Sequence, residues 1–311
     1  MASRIASRGW RGFRSVLCPI DFSEHSRLTL QYAEAVAFRG SASLTVMYAN
    51  DPLLVAAAAT ALHDRHVARR SASELQAFMN ATLTAGSRKR VRAKSEVSIG
   101  PASDEILRVA ARRRSDLIVL GTHGLTGAER LLMGSTTLSV LQRTTTPVLA
   151  VPRPDQSPSH AISRSWPGQR IVVALDFDAD PSRDVDIAAR IAQWFDSSLL
   201  LLHVVSDITA PNWVKGDLSA HQRIRVAQAQ QQIDALAAGA RRRVKTDTRV
   251  ICGRVSDEIA ALVATERIEL VVTTLRDRHG WFGSRRGSVS YHVLSHAVTP
   301  VLACPPRWRP R

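Results

Sequence analysis

LIVLGTHGLTGAERLLMGSTTLSV, residues 117–140, passes from a short apolar run into a loop punctuated by glycine and out again into a helical pattern. Two residues separate Gly121 from Gly124 and nine separate Gly124 from Gly134, with Ser135 and Thr136 following where a helix begins. Glycine admits positive φ and brings the main chain close to a ligand, so that its N–H groups can point at an anion. The unpaired donors of a helix start add partial positive charge and, here, two hydroxyl groups. The loop reads as a cradle for a phosphate, and hence for a nucleotide.

Outward from that loop, short apolar runs alternate with amphipathic ones of helix length. Strands are expected at 15–20, 44–48, 91–97, 117–120 and 148–151, and helices at 23–38, 69–85, 102–112 and 135–143. Such alternation predicts an α/β fold, a mostly parallel sheet with helices on both faces. In these sheets ligands bind beyond the carboxyl ends of the strands, where the strand order reverses. Asp21 and the glycine loop both follow strands directly, which puts them on that edge.

The chain also repeats itself. GPASDEILRVAARRRSDLIVL, from Gly100, recurs as GRVSDEIAALVATERIELVVT, from Gly253. By subtraction of their numbers, Gly100 and Gly253, Gly134 and Gly287, and Pro147 and Pro300 each stand 153 positions apart, while Asp21 and Asp176 differ by 155. A period this long means two copies of a domain, which suits 311 residues. The reading divides the chain into a basic, mobile extension (1–13), a first domain (14–152), a Pro/Ser-rich linker (153–169), a second domain (170–306) and a short tail (307–311).

Composition narrows the class. With 45% hydrophobic and 22% charged residues the chain is a globular one. No run approaches the roughly 18 apolar residues of a membrane span, and LLLLHVV at 199–205 reads as a buried strand. Arg4, Arg8, Arg11 and Arg14 punctuate a start without a sustained apolar core, so no secretory signal is expected. Cys18, Cys252 and Cys304 match no metal or redox spacing and read as buried thiols of a reducing cytoplasm. The net charge of +15 is dispersed. Its clusters at 112–114 and 241–243 fall at expected helix ends, where cations complement the dipole, and they argue against a nucleic-acid partner.

PIDFSEHS at 19–26, together with the G-x2-G-x9-G-[ST] spacing at 121–135, strongly resembles the universal stress protein family, in both halves of the chain. The resemblance implies two tandem Rossmann-like domains of the adenine nucleotide alpha hydrolase type, each a five-stranded parallel sheet. It implies ATP, AMP or ADP as ligand, with Mg2+ accompanying the phosphates. It also implies pairing of the domains through their last strands, 147–151 and 300–304, either within the chain or between chains of a homodimer. Carried over by position, Pro19, Ile20 and Asp21 take the adenine end and Ala49 offers main-chain contacts to the base. Leu120 and Gly121 flank the ribose. Gly124, Gly134, Ser135 and Thr136 hold the phosphates, with His123 and Arg130 adding charge. Standing alone, Asp21 would read as a helix cap.

The second copy departs from this pattern. Thr274 stands where the first has Gly121, and Asp277 where it has Gly124, a side chain and a negative charge in the space meant for phosphate. The expectation is a degenerate copy that serves structure and pairing, with Asp176 retained and an altered ligand left open. Other constellations are weaker. His292 and His296 have helical metal-ligand spacing but no third ligand, and His63 and His66 lie in a polar stretch. Asp176, Asp178 and Asp180 look like a loop and helix start. The lysine-bearing loop of standard nucleoside triphosphatases is missing, and no catalytic residue is assigned. The expected role is regulatory, in a stress response and toward an unidentified protein partner. A slow ATPase and a ligand-free scaffold are the alternatives.

Overall fold

The computed structural model describes residues 10–61, 66–88, 90–122, 133–153, 162, 166–177, 180–208, 218–275 and 289–310. In the first half the order is β1 (Ser15–Pro19), α1 (Glu24–Gly40), β2 (Ser43–Asn50), α2 (Pro52–Ala61), α3 (Val67–Thr82), α4 (Ala85–Arg88), β3 (Arg92–Ile99), α5 (Ala102–Arg113), β4 (Leu117–Gly121), α6 (Ser135–Arg143) and β5 (Val148–Val151). The second half follows with β6 (Arg170–Ala174), α7 (Pro181–Phe195), β7 (Ser198–Val205), α8 (Ser219–Arg241), β8 (Thr246–Cys252), α9 (Val255–Glu266), β9 (Leu270–Thr274), α10 (Val289–Ser295) and β10 (Val301–Cys304).

Local chemistry sets the ends. Ser23 caps α1 by accepting the N–H of Ser26, and Ser41 closes it in a left-handed conformation. Helix α5 carries Asp104 and Glu105 in its first turn and Arg112 and Arg113 in its last, as the helix dipole favours. The apolar runs become strands buried on both faces, as parallel sheets require.

All ten strands named above form one sheet in the order β3-β2-β1-β4-β5-β10-β9-β6-β7-β8. Each half is parallel, and the halves join through the antiparallel pair β5 and β10, with Leu149 opposite Leu302 and Ala150 opposite Val301. The pairing expected from the last strands is therefore made within the chain. One core lies on the face covered by α1, α3, α7 and α8. The other lies on the face covered by α5, α6, α9 and α10.

Three segments taken for extension, linker or tail enter the core. Phe13 is buried at 1% exposure, and Trp166 at 4%. Trp10 and Phe13 pack on Trp194 and on Trp308 of the tail, while Trp166 sits edge-on to Tyr32 and Phe195. Indole and phenyl rings bury too much apolar area to be left in water, whatever the composition around them. Helix α2 was not anticipated, because its ten residues, PLLVAAAATA, have no amphipathic period. Cys18 and Cys304 are buried as expected, but Cys252, at the end of an outer strand, is exposed.

Candidate functional site

A cavity of about 160 Å3 opens at the carboxyl ends of β1, β2 and β4. Strand order runs from β1 to β2 on one side and from β1 to β4 on the other, so this is the switch point of the first half. Pro19 lines it from the end of β1 and Ile20 and Asp21 from the residues that follow, Met47, Tyr48 and Ala49 from β2, and Leu120 and Gly121 from β4. His25, Ser26 and Thr29 of α1, Ala102 and Ile106 of α5, and Thr136 of α6 complete the lining. Ile20 stays in line with the sheet through its N–H bond to the Met47 carbonyl at 2.9 Å.

Asp21 is held by the first turn of α1. Its Oδ1 accepts the Ser23 N–H (3.1 Å), the Ser23 hydroxyl (2.5 Å) and the Ser26 hydroxyl (2.6 Å), and its own N–H donates to Ser26 Oγ at 2.9 Å. The carboxylate thus has a turn-forming role in addition to any ligand contact, and Ser23 is the cap. Sequence reasoning gave His25 no part, yet its ring is central. Nε2 donates to the Val151 carbonyl at 2.9 Å, and a carbonyl only accepts, so this bond places the ring proton on Nε2. The imidazole lies over Gly121, where a Cβ would come within 2.9 Å of Cε1. Glycine at 121 therefore answers first to a histidine ring and only then to a ligand.

The ends of the glycine loop are pinned together. The Gly134 N–H donates to the Thr122 carbonyl at 2.7 Å, and the Thr122 N–H to the Val151 carbonyl at 2.8 Å. Gly134 caps α6 without a side-chain bond, while Thr137, also missed in the sequence, donates its hydroxyl to the Gly121 carbonyl at 2.7 Å. Ser135 is exposed on the first turn and Thr136 is half-buried. His123, Gly124 and Arg130 lie outside the described residues, as do Asp277 and the rest of the second loop.

The second half keeps this frame and fills the hollow. The Leu275 N–H donates to the Cys304 carbonyl at 2.7 Å, and the Ser290 hydroxyl to the Thr274 carbonyl at 2.6 Å, repeating the bonds of Thr122 and Thr137. At the position of Gly121, however, the Thr274 hydroxyl donates to Oδ1 of the buried Asp184 at 2.7 Å. Asp180 caps α7 through the Arg183 N–H, in accord with reading that aspartate as a helix start; Asp178 lies outside the described residues. His296 Nδ1 meets the His292 carbonyl at 3.2 Å, and His66 is exposed at the start of α3. Burial, then His296 and Arg254, hold the His292 imidazole below its ordinary pKa.

The universal stress protein family model matches residues 12–152 and 168–305, one copy in each half. A universal stress protein of Mycolicibacterium smegmatis is 25% identical over 310 residues, covering 94% of this chain and 97% of that one. The crystal structure of a universal stress protein from Archaeoglobus fulgidus superposes with a TM-score of 0.60 at 18% identity, over 94% of this chain and 98% of that one. A functionally unknown protein from Pseudomonas aeruginosa does so with a TM-score of 0.64 at 14% identity, over 95% and 94%. Two successive matches on one ten-stranded sheet leave one conclusion: the chain belongs to the universal stress protein family, with two copies of its domain in tandem.

Proposed function

We propose that the first half binds ATP, or another adenine nucleotide, at the switch-point cavity, and that occupancy serves regulation rather than turnover. The observation that carries this reading is convergence. Pro19, Ile20, Asp21, Ala49, Leu120, Gly121 and Thr136, chosen from separated stretches of sequence, line one hollow. The hollow is smaller than the roughly 300–1,000 Å3 of drug-sized ligand sites and suits a ring system, with the phosphates lying beyond Gly121 toward the start of α6. The Thr274–Asp184 bond stands at the corresponding place in the second half, which supports a structural role there. Among the described residues, no group of three or more His, Cys, Asp or Glu could hold a metal ion. Mg2+ would arrive with the phosphates, and Ser135 and Thr136 would offer it hydroxyl oxygens. The buried free thiols of Cys18 and Cys304 suit a reducing cytoplasm, where we place the protein.

Calorimetric titration of nucleotide-stripped protein with Mg-ATP tests the reading, beside a Gly124→Asp variant that imitates the second copy. One equivalent bound by the parent and none by the variant is the expected result. No binding by the stripped parent overturns it.

A further inference from the structure

Among the described residues, five besides glycine have positive φ: Phe22, Ser41, Arg114, Asp196 and Arg267. Four of them close helices, where a left-handed residue is an ordinary ending: Ser41 closes α1, Arg114 α5, Asp196 α7 and Arg267 α9. Phe22, at φ +65°, closes nothing. It joins β1 to α1 beside the switch-point cavity, and its bulky side chain makes the left-handed region unfavourable. Backbone of this kind persists only where its surroundings over-determine it, and such places gather at ligand sites.

Two sets of contacts hold the turn. Phe22 is the one residue between Asp21 and the cap Ser23, and across it Asp21 Oδ1 accepts the Ser23 N–H and the hydroxyls of Ser23 and Ser26. The Phe22 ring is anchored in turn on Tyr48 and on Phe78, with centres 4.7 and 5.7 Å away. Asp21 and Tyr48 line the cavity, whereas Phe22 and Phe78 do not. The ring therefore acts on the contents of the cavity only through its neighbours.

The second half does without this strain. Three residues separate Asp176 from the cap Asp180. Phe177, the counterpart of Phe22, is not among the positive-φ residues, and its ring stacks on His203 at 3.9 Å. The left-handed turn thus belongs to the half that keeps Gly121, and not to the half in which the Thr274–Asp184 bond stands at that place.

We propose that Phe22 is a positioning residue for the nucleotide: its ring, anchored on Tyr48 and Phe78, holds the left-handed turn that keeps the Asp21 carboxylate at the mouth of the cavity. The proposal rests on the nucleotide reading of that cavity. Without the anchor, a side chain at position 22 relaxes toward negative φ and Asp21 moves with the turn. Binding must then restore the left-handed form, so the apparent affinity falls in proportion to the fraction of molecules that hold it.

The test titrates the nucleotide-stripped full chain with Mg-ATP. Phe22→Ala and Phe22→Gly delete the same ring and differ in their tolerance of positive φ. Phe22→Ala should bind about tenfold more weakly than the parent, and Phe22→Gly within about threefold of it. A ring that served the fold alone would move both variants alike. Phe78→Ala should weaken binding in the parent and leave affinity unchanged in the Phe22→Gly background. Without nucleotide, Phe22→Gly should have the higher urea midpoint of the two Phe22 variants, the order a left-handed position imposes. Equal dissociation constants for Phe22→Ala and Phe22→Gly, an equal effect of Phe78→Ala in both backgrounds, or a higher urea midpoint for Phe22→Ala would overturn this proposal alone. No binding by the parent would overturn the nucleotide reading and this proposal with it.

Discussion

The Cβ that Gly121 lacks would stand 2.9 Å from His25 Cε1 and 3.1 Å from Nδ1. The ring cannot easily retreat, because Nε2 is tied to Val151 and the residue is buried. Gly121→Ala should therefore destabilise the protein by about 1–3 kcal/mol, the usual cost of overpacking a core. The same change made in a His25→Ala background should cost less than about 0.5 kcal/mol, since residues in contact are not additive. Equal costs in the two backgrounds, read from urea midpoints, would remove the ring as the reason for this glycine. Thiols give a second prediction at this scale. Burial pushes the Cys18 and Cys304 thiols well above their ordinary pKa, whereas Cys252 is exposed. At mildly alkaline pH a disulfide reagent should titrate one thiol in the native chain and all three in denaturant, because the thiolate is the reacting form. Two or more reacting at once in the native chain would contradict the burial. Gly121 and Asp21 were legible in the sequence because a spacing and a motif contained them. The partners that explain them were less so: His25 meets Gly121 only after the sheet has brought α1 over β4, and no local pattern records that meeting.

Helix α6 meets the end of β4 through one buried hydroxyl, that of Thr137 on the Gly121 carbonyl. Thr137→Val keeps the shape and deletes the bond. The expected cost is about 1 kcal/mol of stability. A several-fold weaker affinity for Mg-ATP should accompany it, because only the Gly134 N–H on the Thr122 carbonyl would then tie the helix start to the strand end; unchanged affinity would show that α6 needs no second tie. In the second half, Arg170 of β6 and Arg249 of β8 meet on Glu266 of α9. Burial alone raises the Glu266 carboxyl, and the two guanidiniums more than offset it, so its pKa lies below the ordinary value. A depressed carboxyl contributes stability in full above the unfolded value, about 4.3, and loses it as pH falls through the folded one. Glu266→Gln should thus lower the urea midpoint at pH 6, and the gap from the parent should shrink by pH 3. A gap constant across that range would place the effect elsewhere. Most elements were legible because their periods were clean: 135–143 and 148–151 were read to the residue. Helix α2 escaped because its side chains, nearly uniform in polarity, leave no face to detect.

Whether the two halves act as one body depends on more than the β5–β10 seam. On one face of the sheet, Arg39 of α1 donates to the Trp194 carbonyl of α7 at 2.8 Å and lies over the rings of Trp194 and Phe195. Gly12, at φ +80°, passes so close to the Trp194 indole that a Cβ would overlap it. Trp166 joins Tyr32 of the first half to Phe195 of the second, and its Nε1 donates to the Glu269 carbonyl at 3.2 Å. These rings were invisible as core in the sequence because they sit in stretches rich in arginine, proline and serine, and only the closed sheet gives them a place. A seam of buried strand pairs backed by a shared aromatic cluster should unfold with both halves together. The nucleotide binding proposed for the first half would then act on the whole. A ligand held by the first half at 100 times its dissociation constant stabilises the native state by about 2.7 kcal/mol, roughly a hundredfold in the slowest amide exchange. If the halves are one cooperative unit, saturating Mg-ATP should slow exchange in β7, at Leu199–Leu202 of the far half, about as much as in β2. If only β1, β2, β4 and β5 respond, the halves open independently, and a signal from the nucleotide would have to leave the molecule through the first half alone.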